Sequence, residues 1–165
     1  MDVASYRDAV GRFPTGVTVL TARHGGRQHG MTANSFTSVS LDPVLVLACV
    51  ARSARLHELI VAAGEWGVSV LAADAAGVSA EFASRGKGLG EALAGVPHHP
   101  GPYTGAALLD DALATFECRT VEVYGGGDHT ILLGEVLDLD VLRPDGSPLL
   151  YYRGDYRGRY HSADW

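Results

Sequence analysis

Apolar residues open the chain at helical spacing: Val3, Tyr6, Val10 and Phe13 share one face, and the Phe-Pro-Thr-Gly run that follows stops the helix. The period then shortens to that of strands. Residues 16–23 (GVTVLTAR) are dominated by β-branched side chains and predict a strand. HGGRQ is its turn, and residues 29–43 (HGMTANSFTSVSLDP) form the returning strand of a hairpin, ended by Leu-Asp-Pro. Residues 44–50 (VLVLACV) read as a buried strand. Helical spacing returns at Leu56, Leu59, Ile60 and Ala63, with Ser53 as N-cap and Gly64 as the C-terminal stop. A strand over 66–72 and a short helix over 75–84 follow, the helix ending at Arg85 and Gly86. Residues 86–106 are rich in glycine and proline and lack a period, as in loops that cover a site or move. Two long strands, 112–124 and 129–142, flank a GGGD turn, and a last short strand over 148–154 precedes a polar aromatic tail.

This order is mainly β with three inserted helices and hairpin-linked long strands, which predicts a closed or nearly closed antiparallel barrel in one domain spanning 1–165. A Rossmann fold is disfavoured, because strict βα alternation is missing and GKGLGE lies in a loop after a helix. The hydrophobic content of 47% with 19% charged residues is that of an ordinary soluble globular protein. No apolar run reaches the ~18 residues of a membrane span. Asp2, Arg7 and Asp8 interrupt the stretch where a signal peptide needs an apolar core, so a cytoplasmic protein is expected. The net charge of −6 argues against a nucleic-acid partner. Cys49 and Cys118 sit in apolar runs far from any CxxC spacing and read as buried free thiols, with no metal site.

Three stretches could carry chemistry. Residues 29–43 crowd Thr32, Asn34, Ser35, Thr37, Ser38 and Ser40 among apolar neighbours. Such side chains fill a core poorly and need partners if buried, so the strand is either a solvated edge or a platform for a flat polar ligand. Arg52 and Arg55 flank Ser53 at a helix start, where the dipole repels cations. They are either solvated or neighbours of an anion such as a phosphate. Arg85 and Lys87 follow a helix C-terminus, where cations are expected. His129 opens a strand after three glycines, with Asp128 beside it to orient or charge the imidazole. His98 and His99 in a Pro/Gly loop read as a surface feature.

FPTGVTVLTA, GMTANSFTSVSLDPVLVLACV, FECRTVEVYGGGDHTILLGEV and PLLYYRGDY, in this order, resemble successive motifs of the short-chain flavin reductase family. These NAD(P)H:flavin oxidoreductases supply reduced flavin to two-component monooxygenases. The resemblance implies a split β-barrel of the FMN-binding type, Greek-key-like, that forms a homodimer. It also implies FAD or FMN near the subunit interface and NADH or NADPH as hydride donor. Thr32, Ala33, Asn34 and Ser35 would lie along the isoalloxazine ring, with Ser38 and Val39 nearby. Val50, Ala51, Ser53 and Arg55 would hold the flavin phosphate, and Phe82, Ala83, Ser84 and Arg85 the phosphate and ribityl side. His129 would face the nicotinamide, and Tyr152, Arg153 or Tyr156 would close over the flavin. Residues 86–111 depart from the family pattern. Two rival readings share the fold: a flavin-binding barrel without turnover, and an oxidase of the pyridoxamine phosphate type.

Overall fold

The computed structural model describes residues 1–84 and 91–157. In chain order its elements are α1 (Val3–Val10), β1 (Thr15–Gly16), β2 (Thr18–His24), β3 (Arg27–Ala33), β4 (Thr37–Leu41), β5 (Val44–Ala51), α2 (Arg55–Ala63), β6 (Glu65–Val70) and α3 (Ala76–Ala83). A 3-10 turn at Glu91–Leu93 leads to β7 (His98–Pro100), β8 (Ala107–Leu109), β9 (Ala114–Gly126), β10 (His129–Val141), β11 (Leu150–Tyr152) and β12 (Asp155–Arg157).

The stretch expected to be one returning strand is two. β3 pairs with β2, β4 pairs with β5, and these pairs stand at opposite ends of a seven-stranded sheet ordered β3-β2-β6-β9-β10-β5-β4. In a flat sheet the two edges would be about 29 Å apart. Asn34, Ser35 and Phe36 link them across four Cα steps, which reach at most about 14 Å. The sheet must therefore curl until its edges nearly meet. Ser35 pins this seam: its Oγ donates to the Cys49 carbonyl and accepts from the Cys49 N–H, each at 3.0 Å. Among the described residues no ladder joins β3 to β4, so the curled sheet stays split there.

Alternation along β2 divides the core. Leu20 and Ala22 face a cluster with Val46, Val50, Trp66, Leu132 and the apolar stripe of α2, Leu56, Leu59 and Ile60. Val17 and Val19 face the opposite cluster with Leu71, Phe82, Leu109 and Leu149. Gly64 ends α2 as expected, at φ 67° with its N–H on the Ile60 carbonyl. The start of α2 corrects the sequence reading: Ala54, not Ser53, is the N-cap, and no side chain caps it. The chain turns on the Ala54 N–H to Ala51 carbonyl bond, which leaves Ser53 one residue outside the helix.

Other expectations shift. The α1 helix is capped by the Asp2 carboxylate, yet its apolar residues Val3, Tyr6, Val10 and the following Phe13 are all exposed. Part of the 86–106 loop is regular, since β7 pairs with β8; residues 85–90 lie outside the described residues. The final strand is a hairpin, β11–β12, held to the body by the pairing of β11 with β1. Cys118 is fully buried, its thiol pushed up to about 12 by burial, whereas Cys49 is only half-buried. No helix among the described residues is long and apolar enough to cross a membrane.

Candidate active site

The small polar residues of β3 divide their work. Gly30 leaves room for the Phe82 ring, which a Cβ would meet at 2.7 Å, so α3 packs directly on the strand. Thr32 Oγ1 donates to the Ser79 carbonyl at 2.6 Å and ties the two elements further. Ser35 is used at the seam, and Ser40 Oγ accepts from the Asp42 N–H in the β4–β5 turn. The Asn34 amide and the Ser38 hydroxyl have no hydrogen-bond partner among the described residues, and both are exposed. Part of the crowding thus builds the fold, and part is left to meet something outside it.

Asn34 borders a cavity of about 190 Å³ together with Val17, Thr32, Ala33, Ala83, Tyr151 and Tyr156. Five of these, Thr32, Ala33, Asn34, Ala83 and Tyr156, are expected site residues, drawn from three separate segments. The C-terminal hairpin supplies the other wall. Tyr151 and Tyr156 face each other across the β11–β12 ladder, ring centroids 5.5 Å apart and tilted by 58°. Tyr152 does not line this cavity; it alternates to the other face of β11 and is half-buried. The register Thr15↔Tyr151 decides which tyrosine points where, and that long-range pairing leaves no local trace in the sequence. Phe82 is buried in the core and Ser84 is exposed beyond α3; Arg85 lies outside the described residues. Ser38 and Val39 lie on β4, across the seam.

A second constellation forms where the β5–α2 loop meets the β9–β10 turn. His129 pairs with Ala51, and the Arg52 N–H donates to the Asp128 carbonyl at 2.9 Å. The segment expected to hold a phosphate and the histidine expected to meet a nicotinamide therefore share one corner. Val50 is fully buried there in the ladder with β10, so it supports the corner and does not itself face a ligand. Among the described residues neither Arg52 nor Arg55 has a carboxylate partner. His129 Nδ1 lies 2.7 Å from Asp128 Oδ1, and the imidazole holds that carboxyl below the usual range. Two further histidines, missed in the sequence, belong to this region. His57 on α2 meets the buried Thr130 hydroxyl at 2.8 Å. His29 is buried with Nδ1 unpartnered among the described residues; burial pushes its pKa down, and the Arg55 charge adds to this.

The chain belongs to the flavin reductase like domain family, whose pattern matches residues 10–159. It is 44% identical over 164 residues to the NADH-dependent FAD reductase of Streptomyces globisporus, covering 99% of this chain and 89% of that protein. It is 36% identical over 159 residues to HsaB of Mycobacterium tuberculosis, the reductase subunit of a flavin-dependent monooxygenase, covering 96% of this chain and 83% of the relative. Among solved structures, NADH:FAD oxidoreductase SgcE6 of Streptomyces globisporus in complex with NAD and FAD fragments superposes with a TM-score of 0.91 at 40% identity. That superposition covers 99% of this chain and 96% of the other.

Proposed function

We propose that the protein reduces free FAD or FMN with NADH and hands the reduced flavin to a partner monooxygenase. The observation that carries this reading is the meeting of Thr32, Ala33 and Asn34 with Tyr151 and Tyr156 around one cavity. A flat heteroaromatic ring with a polar edge fits such a site: small side chains let it approach the strand, and the tyrosine pair offers stacking surface. The Asn34 amide, without a partner among the described residues, is a donor and acceptor for that edge. Bound flavin supplies a ring that accepts a hydride from the dihydronicotinamide and afterwards gives up its electrons.

The residues of this chain bind and orient. Arg55 stands in the first turn of α2 with Ser53 just outside it, where the first helical N–H groups and the guanidinium favour a phosphate. With His129 Nδ1 held by Asp128, Nε2 is the nitrogen left to meet the nicotinamide. Hydride transfer needs no protein nucleophile, so His129 acts by position and electrostatics. NADH is a currency of the cell interior, which places the working enzyme in the cytoplasm.

A homodimer completes the proposal. The apolar residues Val3, Tyr6, Val10 and Phe13 at α1, and Val39, Leu41 and Val44 at the β4–β5 edge, are exposed, and a second copy would remove them from water. Light scattering is expected to give twice the chain mass; a monomer reducing flavin at full rate would remove the dimer from the mechanism.

Arg55→Glu is expected to weaken FMN and FAD binding by about 1.5–3 kcal/mol more than riboflavin, which lacks the phosphate. Titration of all three flavins checks this, and equal losses would show that Arg55 touches no phosphate. The activity itself is tested by following NADH oxidation in air with free FAD, FMN or riboflavin. Steady consumption that depends on both protein and flavin is expected. A yellow protein that consumes no NADH would instead support a binding barrel, and consumption of pyridoxamine phosphate alone would support the oxidase reading.

A further inference from the structure

The Ser79 side chain lies at the centre of α3, is 0% exposed, and takes no direct part in lining the cavity. Serine in a helix interior competes with the backbone for hydrogen bonds and is a poor choice where only packing is needed. Here each of its polar groups has a separate partner. Its N–H stays in the helix on the Ala75 carbonyl at 2.9 Å, its carbonyl accepts from Thr32 Oγ1 at 2.6 Å, and its hydroxyl donates to Tyr156 Oη at 2.8 Å. One residue therefore connects β3, α3 and β12, which are the three sides of the cavity.

The β12 strand needs such a tie. Among the described residues it pairs only with β11, through Leu150↔Arg157, Tyr151↔Tyr156 and Tyr152↔Asp155. The β11 strand is anchored to β1, and the hairpin turn is anchored by the Arg153 N–H on the Gly11 carbonyl at 2.8 Å. The far strand carries Tyr156, and the Ser79 hydroxyl fixes that ring from the side opposite its ladder.

We propose that Ser79 is a positioning residue for flavin binding: by holding the Tyr156 phenol, it sets the Tyr151–Tyr156 pair as a preformed stacking wall opposite Thr32, Ala33 and Asn34. This rests on the flavin reading of the cavity and adds the device that shapes it. The phenol oxygen accepts from Ser79, which fixes the tip of Tyr156 and leaves its ring as the surface presented to the ligand. The wall then favours flat aromatic ligands by shape, and it treats riboflavin, FMN and FAD alike because their ring is common.

A double-mutant cycle on the full chain tests this, read as quenching of flavin fluorescence in titrations with riboflavin, FMN and FAD. Ser79→Ala and Tyr156→Phe each remove the hydrogen bond, and Tyr156→Phe keeps the ring and nearly all the volume, so it reports even where Ser79→Ala folds poorly. Each single variant is expected to weaken all three flavins by the same factor, roughly three- to tenfold, the weight of one hydrogen bond. The double variant should bind no more weakly than either single one. Wild-type affinity in Tyr156→Phe would overturn the proposal. Losses that multiply in the double variant would also overturn it, because the phenol would then have its own contact with the ligand. If the wild-type protein itself quenches none of the three flavins, the flavin reading fails first, and this inference falls with it.

Discussion

Replacing His129 by alanine is expected to slow flavin reduction by NADH about tenfold to a thousandfold, equivalent to roughly 1.4–4 kcal/mol of transition-state stabilisation, with flavin affinity nearly unchanged. The asymmetry follows from where the residue stands. His129 does not line the cavity bordered by Asn34 and the tyrosine pair, and its side chain is 43% exposed at the corner of the β9–β10 turn. A ring held, among the described residues, by Asp128 on one nitrogen can meet a second ligand with the other. The loss should fall on the reductive half-reaction alone, so photoreduced flavin on the variant reoxidises in oxygen at the normal rate. Stopped-flow measurement of both half-reactions decides it. Normal reduction by NADH, or failure to bind flavin at all, would return His129 to a structural role at the strand start.

Glu117→Ala is expected to destabilise the fold by about 3–5 kcal/mol. Glu117 is 1% exposed on β9, and its carboxylate accepts from the Tyr103 N–H at 3.1 Å, the Thr104 N–H at 2.7 Å and the Thr104 hydroxyl at 2.7 Å. Alanine would leave all three donors without a partner and free the 101–106 turn from the sheet. The urea midpoint should fall with little change in slope, and Glu117→Gln, which keeps the shape and one acceptor oxygen, should fall less. An unchanged midpoint in Glu117→Ala would mean that the turn finds solvent partners at no cost.

Local patterns were readable where local physics decides. The stripe Leu56, Leu59 and Ile60 marked α2, Gly64 marked its end, and β-branched runs marked the hairpin of β2 and β3. The break at Asn34–Phe36 was not readable, because alternation runs on through it. Each strand pairs with its neighbour in sequence, β3 with β2 and β4 with β5, and what splits β3 from β4 is that these two hairpins stand at opposite edges of the sheet, a placement that a pattern of apolar and polar positions does not encode. The same limit explains the tyrosines: period two says that Tyr151 and Tyr152 face opposite ways, and only the pairing with β1 says which faces Ala33. The crowd of small polar residues mixed two purposes. Thr32 and Ser35 hold the fold while, among the described residues, Asn34 and Ser38 are left unpaired, a division that hydrogen-bond partners reveal and residue types do not. Ser79 gave no signal at all, being one small residue in an alanine-rich helix. The α1 stripe signalled burial, and among the described residues nothing covers it.

Flavin passes through such a site as a substrate and leaves reduced. Anaerobic mixing of excess NADH with free FAD or FMN and a small fraction of that amount of protein tests it most directly, followed by loss of the oxidised flavin absorbance. The whole flavin pool is expected to bleach, many equivalents per chain, at a rate proportional to protein. Bleaching that stops at one equivalent per chain, or that is no faster than without protein, would contradict it.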